Sequence, residues 1–157
     1  MTSKILTLEQ ISDQAVGGKA KGLAELTRLG LPVPPAFVIP AAKINQHPDD
    51  LESQYHNIGG GLVAVRSSAI GEDGDESSFA GQYETLLNVS GIDNLKQAIN
   101  QCIASLSSEH ANAYKSEQAD IGDVDMCVVV QRMVDPRAAG VLFSADPVTG
   151  RHDRLII

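Results

Sequence analysis

Apolar residues recur along this chain with two different spacings, and the switches between them mark out its elements. After a Gly17-Gly18 turn, the segment from Lys19 to Leu29 puts Leu23 and Leu26 on one helical face, with Gly30 as a C′ residue before Leu31-Pro32. Val33-Pro34-Pro35-Ala36-Phe37-Val38-Ile39-Pro40 must be extended, because each proline fixes its own φ and disfavours helix in the residue before it. A short edge strand is predicted there. Residues 41–57 are polar and weakly patterned, which fits a short helix and a loop, and Gly59-Gly60-Gly61 punctuates the start of a strand over residues 62–66. A further strand is expected over residues 83–89. Asp93 can N-cap a helix whose Leu95, Ile99, Cys102, Ile103 and Leu106 keep a 3.6-residue period, with a second helix over about residues 109–117 after Ser107-Ser108.

The stretch from Met126 to Val134 is β-branched and apolar on both faces, which predicts a central strand covered on both sides. Asp135-Pro136 then turns the chain, and Gly140-Val141-Leu142-Phe143-Ser144 is expected back as a hairpin partner. Asp146-Pro147-Val148-Thr149-Gly150 makes the next turn. Arg154-Leu155-Ile156-Ile157 reads as a terminal strand open to edge pairing. The chain is expected to end inside its domain.

Length and composition narrow the class. A chain of 157 residues with 43% hydrophobic and 20% charged residues is that of one globular domain. The formal charge of −8 argues against nucleic acid as a partner, because such binding needs a basic surface to displace counterions. Cys102 and Cys127 have neither CxxC nor histidine partners at metal-ligand spacing and read as buried free thiols. Residues 1–6 carry no secretory apolar region, and no run approaches the roughly 18 apolar residues of a membrane helix. A cytoplasmic location is the expectation, and the Asn88-Val89-Ser90 sequon then has no glycan to carry.

Candidate chemistry centres on Ala64-Val65-Arg66-Ser67-Ser68-Ala69 and, shortly after, Ser78-Phe79-Ala80-Gly81-Gln82. An apolar strand that delivers an arginine to its end, beside small residues whose N–H groups can face an anion, is the anatomy of a phosphate grip. The pattern alone leaves open whether Arg66 is a ligand or a surface partner of the acidic run Glu72, Asp73, Asp75 and Glu76. That run lacks the alternating oxygen ligands of a calcium loop and reads as a solvated lid. Lys19 stands in a first helical turn, where a cation opposes the helix dipole, a misfit that favours a ligand role. Gln131 is either a satisfied core amide or an adenine neighbour. His47, His56, His110 and His152 lie in polar surroundings and read as surface residues. Ser67 and Ser68 have no activating histidine nearby in sequence, and capping or phosphate contact explains them better than nucleophilic chemistry.

Five motifs stand in one order: a Gly-Gly-Lys turn, Val-Arg-Ser-Ser-Ala, Ser-Phe-Ala-Gly-Gln, Val-Val-Val-Gln-Arg-Met-Val, and Gly-Val-Leu-Phe-Ser-Ala-Asp-Pro. Together they resemble the N-terminal ATP-binding domain shared by pyruvate phosphate dikinase, phosphoenolpyruvate synthase and rifamycin phosphotransferase. The resemblance implies an α/β (α+β) ATP-grasp-like nucleotide-binding subdomain, with a mixed or antiparallel sheet and flanking helices. It would comprise an N-terminal helix and strand segment over about residues 1–60 and a phosphate-loop and adenine-hinge segment over residues 61–157. It also implies ATP with Mg2+, and phosphate transfer to a histidine on a swivelling domain beyond this chain. By position, Lys19 resembles the phosphate-binding lysine, with Lys21 its rival, and Arg66 the phosphate-binding and catalytic arginine. Ser78, Phe79, Ala80 and Gly81 would form the loop over the phosphates, with Thr85 behind it, and Gln131, Arg132 and Met133 the hinge whose backbone meets adenine. The family's metal-binding acid and a following glutamine and arginine have no counterpart in these 157 residues, so catalysis by the chain alone is not expected. The alternative from another class is a stand-alone remnant that binds nucleotide or a protein without catalysis.

Overall fold

The computed structural model describes residues 5–12, 16–40, 49–69, 85–113 and 126–157. Its centre is a five-stranded antiparallel sheet in the order β1-β2-β5-β3-β4, built from Leu6–Thr7, Ala36–Ile39, Met126–Arg132, Val63–Ala69 and Thr85–Val89 respectively. The helices are α1 (Gly18–Arg28), α2 (Leu51–Asn57) and α3 (Ile92–Ala113). This is an α+β arrangement, with the antiparallel alternative realised. The strand expected at the centre, β5, is the third of five and is paired on both sides. Its Cys127, Val128, Val129 and Val130 are all buried, as a strand covered on both faces requires.

Side-chain alternation splits the core in two. Val63 and Val65 of β3, Val128 and Val130 of β5, and Phe37 and Ile39 of β2 pack under Leu95, Ala98, Ile99 and Cys102 of α3. Those α3 positions recur every three or four residues, the stripe anticipated from the periodicity. The opposite face carries Ala36, Val38, Cys127 and Val129, covered by Ala20 and Ala24 of α1 and by Leu8, Ile11 and Val16. Small alanines let α1 lie close to the sheet, whereas Leu26, expected to face the core, is 41% exposed. The C-terminus of α1 is closed as anticipated at Gly30: Gly30 N–H donates to the Thr27 carbonyl and Leu31 N–H to the Leu26 carbonyl, a Schellman motif.

Several expectations need correction. The proline-flanked strand β2 is interior, because the two-residue strand β1 pairs along its outer side through Leu6↔Val38 and Thr7↔Phe37. Strand β3 does not stop at Arg66 but runs to Ala69, so the arginine sits mid-strand in a ladder paired on both sides. Helix α3 continues through Ser107-Ser108 to Ala113 as one helix of 22 residues, since serine lowers helix propensity only modestly. Asp93, expected as its N-cap, lies inside the first turn, where its charge faces the positive end of the helix. Residues 140–144 do not return to β5, whose two sides are taken by β2 and β3. Instead Phe143 pairs with Ile156 in an isolated antiparallel bridge, which is also all the pairing the expected terminal strand makes among the described residues. The turn between them forms as read: Asp146 Oδ1 accepts the Val148 and Thr149 N–H groups, and Gly150 N–H donates to the Asp146 carbonyl. Both cysteines are buried, and His56 and His152 are exposed.

Candidate nucleotide-binding site

Strand pairing determines which side chains can meet. On β3, Ala64, Arg66 and Ser68 project to the face covered by α1, opposite to Val63 and Val65. Arg66 stands directly across from Val129 of β5 on one side and from Thr85 of β4 on the other. Gln131 is paired with Ala64 and so lies diagonal to Arg66 on the same face, at about 7–8 Å by sheet geometry. The sheet thus brings Arg66, Thr85 and Gln131 onto one surface.

The first turn of α1 adds the second cation. Lys19 reaches over β3 so that its Nζ donates to the Ser67 carbonyl at 3.4 Å. Its neighbours Gly17 and Gly18 make that approach possible, for a Cβ on Gly17 would fall 2.2 Å from Ser68 Oγ and 2.5 Å from the Ser68 carbonyl carbon. No real Cβ tolerates such distances, so glycine is required by the close passage of helix over strand. Lys21 points elsewhere: it lines an open groove on the outer side of α1 with Glu25, Arg28, Leu29 and Ile11. Of the two rival lysines, it is Lys19 that the fold brings to β3.

The polar atoms around Arg66 are unusually bare. Arg66 Nε and Ser68 Oγ are both buried, and among the described residues neither has a hydrogen-bond partner. Buried polar atoms in native proteins are nearly always satisfied, so the Arg66 Nε donor and the Ser68 hydroxyl, which can donate or accept, leave hydrogen-bonding capacity open on one strand face. The rival reading of Arg66 as the ion-pair partner of the acidic run cannot be placed, because Glu72, Asp73, Asp75 and Glu76 lie outside the described residues, as do Ser78, Phe79, Ala80 and Gly81.

The expected hinge is divided between faces. Arg132 turns to the α3 side, where its guanidinium packs against Gly59 at the end of α2, close enough that a Cβ there would meet Nη1 at 2.9 Å. Its N–H donates to the Pro35 carbonyl and that of Met133 to the Leu62 carbonyl, each at 2.9 Å. In this ladder Arg132 faces Pro35, which has no N–H to return, so the Arg132 carbonyl gets no donor from its ladder partner. The Gln131 side chain is held by a 3.3 Å bond from Nε2 to the Pro34 carbonyl. Pro34 and Pro35 therefore shape the hinge, a role masked in the sequence because both prolines also explain themselves as strand breakers.

The family described as pyruvate phosphate dikinase, AMP/ATP-binding domain matches residues 42–157. The chain belongs to this family. Relatives include a phosphoenolpyruvate synthase of Aeropyrum pernix, 33% identical over 209 residues covering 98% of this chain and 26% of the relative. A prodigiosin synthesizing transferase of Serratia marcescens is 38% identical over 174 residues, covering 90% of this chain and 19% of that protein. A rifampicin phosphotransferase of Bacillus subtilis is 47% identical over 95 residues, 60% of this chain and 11% of its own length. The chain thus spans about a quarter or less of the relatives it matches. The family is one of ATP-binding transferase domains, and the non-catalytic remnant is not the favoured reading. As a member of the pyruvate phosphate dikinase AMP/ATP-binding family, the chain presents on one sheet face the lysine, arginine, threonine and glutamine singled out from its motifs. No helix among the described residues is long and apolar enough to cross a membrane.

Proposed function

We propose that this chain is the triphosphate-gripping part of an ATP-grasp domain in a phosphoenolpyruvate synthase-like phosphotransferase, which passes an ATP phosphate to a histidine on a separate swivelling domain. The observation that carries the reading is the convergence of Lys19 and Arg66, 47 positions apart in sequence by their numbering, beside two buried polar atoms that have no partner among the described residues. Two cations against phosphate oxygens supply the charge neutralisation that phosphoryl transfer needs, and Arg66, held mid-ladder, offers it as a rigid planar fork. Thr85 stands across from Arg66 as a neutral donor to the same group, and the Ser78–Gly81 loop is assigned to cover it. Gln131 and the Arg132 carbonyl, freed by Pro35, offer polar contacts suited to an adenine edge, with Met133 next along the hinge.

Magnesium, were it bound, would supply further neutralisation of the phosphate charge beside Lys19 and Arg66. Among the described residues no group of three or more His, Cys, Asp or Glu is placed to hold a cation. In this reading the chain contributes the nucleotide grip, and further domains of the longer enzyme supply the phosphohistidine and the acceptor. Calorimetric titration with ATP tests the reading: weak binding is expected, lost in Arg66→Ala and in Lys19→Ala. Tight, magnesium-dependent binding that survives Arg66→Ala would defeat it.

A further inference from the structure

We propose that Ser68 is a positioning residue of this cradle: its hydroxyl caps the first turn of α1 from the neighbouring strand when nucleotide is bound, and thereby fixes Lys19 against Arg66. The proposal rests on the reading of Lys19 and Arg66 as phosphate ligands.

Helix α1 starts from Gly17, an N-cap with no side chain to offer. The four N–H groups at a helix N-terminus have no intrahelical carbonyl to take them, and a Ser, Thr, Asp or Asn oxygen ordinarily serves one at the second or third position. Here the space of that side chain is filled from outside. Ser68 Oγ lies 2.2 Å from where the Gly17 Cβ would stand, so the hydroxyl of β3 occupies the position of the missing cap. Lys19 is the second residue of this helix and Arg66 lies two residues before Ser68 on the same strand face. One hydroxyl therefore sits at the junction of the two elements that deliver the two cations.

In the free chain the junction is not closed. Ser68 is 0% exposed, yet its Oγ has no partner among the described residues, and Arg66 Nε is in the same condition. Helix and strand already touch at Gly17; an anion that engages both Lys19 and Arg66 orders the first turn of α1 there, and the hydroxyl is the acceptor already in place for a first-turn N–H. Gly17 leaves room for that approach, and any larger residue would hold helix and strand apart.

Titration of the 157-residue chain with ATP separates this role from simple packing. Ser68→Ala is expected to weaken ATP about three- to tenfold, the range of a lost helix cap. Its thermal midpoint without ATP should hold or rise slightly, because the atom removed is unpartnered there. In a Lys19→Ala background the same substitution should cost no further affinity, since its effect runs through Lys19. Amide exchange at Lys19 and Ala20 gives an independent reading: it should slow on adding ATP to the wild-type chain and not to Ser68→Ala. An undiminished affinity in Ser68→Ala, an additive loss in the double variant, or equal ATP protection of those amides with and without the hydroxyl would each overturn the proposal while leaving the phosphate reading intact. Full ATP affinity in both Lys19→Ala and Arg66→Ala would overturn the two together.

Discussion

The sheet body and the segment beyond it, residues 134–157, are similarly rich in apolar residues yet use them in opposite ways. In the body, Phe37, Val38, Ile39, Val63, Val65 and Val128 to Val130 are buried to 7% exposure or less, each strand is hydrogen-bonded to a neighbour, and helices cover both faces. Beyond β5, Val141, Leu142, Phe143, Val148, Leu155 and Ile157 range from 44% to 93% exposed, and the ladder has shrunk to a single bridge. Apolar content alone does not make a core; a strand contributes to one only where the sheet still has an unpaired edge to receive it. Here β5 is taken on both sides before residues 140–144 arrive. The candidate site follows the same division, for its described side chains stand on the ordered face and none comes from residues 134–157.

The largest effect that should separate the two regions comes from truncating an apolar side chain in each. Phe37→Ala, at 0% exposure, is expected to cost about 3–5 kcal/mol by denaturant unfolding. Val148→Ala, at 90% exposure, should stay within about 0.5 kcal/mol. Comparable losses at the two positions would mean that residues 134–157 are part of the cooperative core after all. Next in size, Gly17→Ala forces α1 away from β3 and should cost about 1–3 kcal/mol as an overpacking change, with ATP affinity falling alongside the thermal midpoint. An unshifted midpoint would show that the helix clears Ser68 without strain.

A smaller effect is expected at Tyr55, whose hydroxyl donates to the Gly61 carbonyl at 2.6 Å and accepts the Gly91 N–H at 3.0 Å, tying the turn before β3 to the turn before α3. Tyr55→Phe should cost about 0.5–1.5 kcal/mol in thermal unfolding, and no measurable loss would mean water replaces both bonds. The smallest effect belongs to the outer segment. Asp146 is held below its ordinary carboxyl range first by the Thr149 hydroxyl and then by the Val148 and Thr149 N–H groups. A depressed folded value means that the turn's stabilisation is in place above the usual aspartate range and is lost as pH falls through the folded value. Protection of the Val148 and Thr149 amides, measured relative to their intrinsic exchange rates at each pH, should therefore fall in acid while β5 amides stay protected, and parallel loosening of both would erase the distinction between the regions.

Much of this was legible in the residues because local chemistry dictated it. The Leu95, Ile99 and Cys102 stripe, the β-branched run of β5, the Gly30 cap and the Asp146 turn each follow from periodicity or from a side chain bonding its own backbone. The motif order likewise points to the family by itself. What could not be read was set by partners distant in sequence. Strand β2 is interior only because Leu6 and Thr7 pair outside it, and Arg66 is mid-strand only because Ser67, Ser68 and Ala69 find Val128, Cys127 and Met126 opposite them.

By itself, then, the sequence determined the chemistry on offer: a lysine after paired glycines, an arginine on an apolar strand, two serines behind it, and a glutamine closing a central strand. Only the tertiary structure decided how they meet. It chose Lys19 over Lys21 because α1 crosses β3 at Gly17, where nothing larger fits, and it turned Gln131 toward Arg66 and Arg132 away because neighbouring residues of a strand project to opposite faces. It also left the Ser68 hydroxyl buried beside an uncapped helix, since the distance between those two backbones is fixed by packing across the sheet and is written in no local pattern.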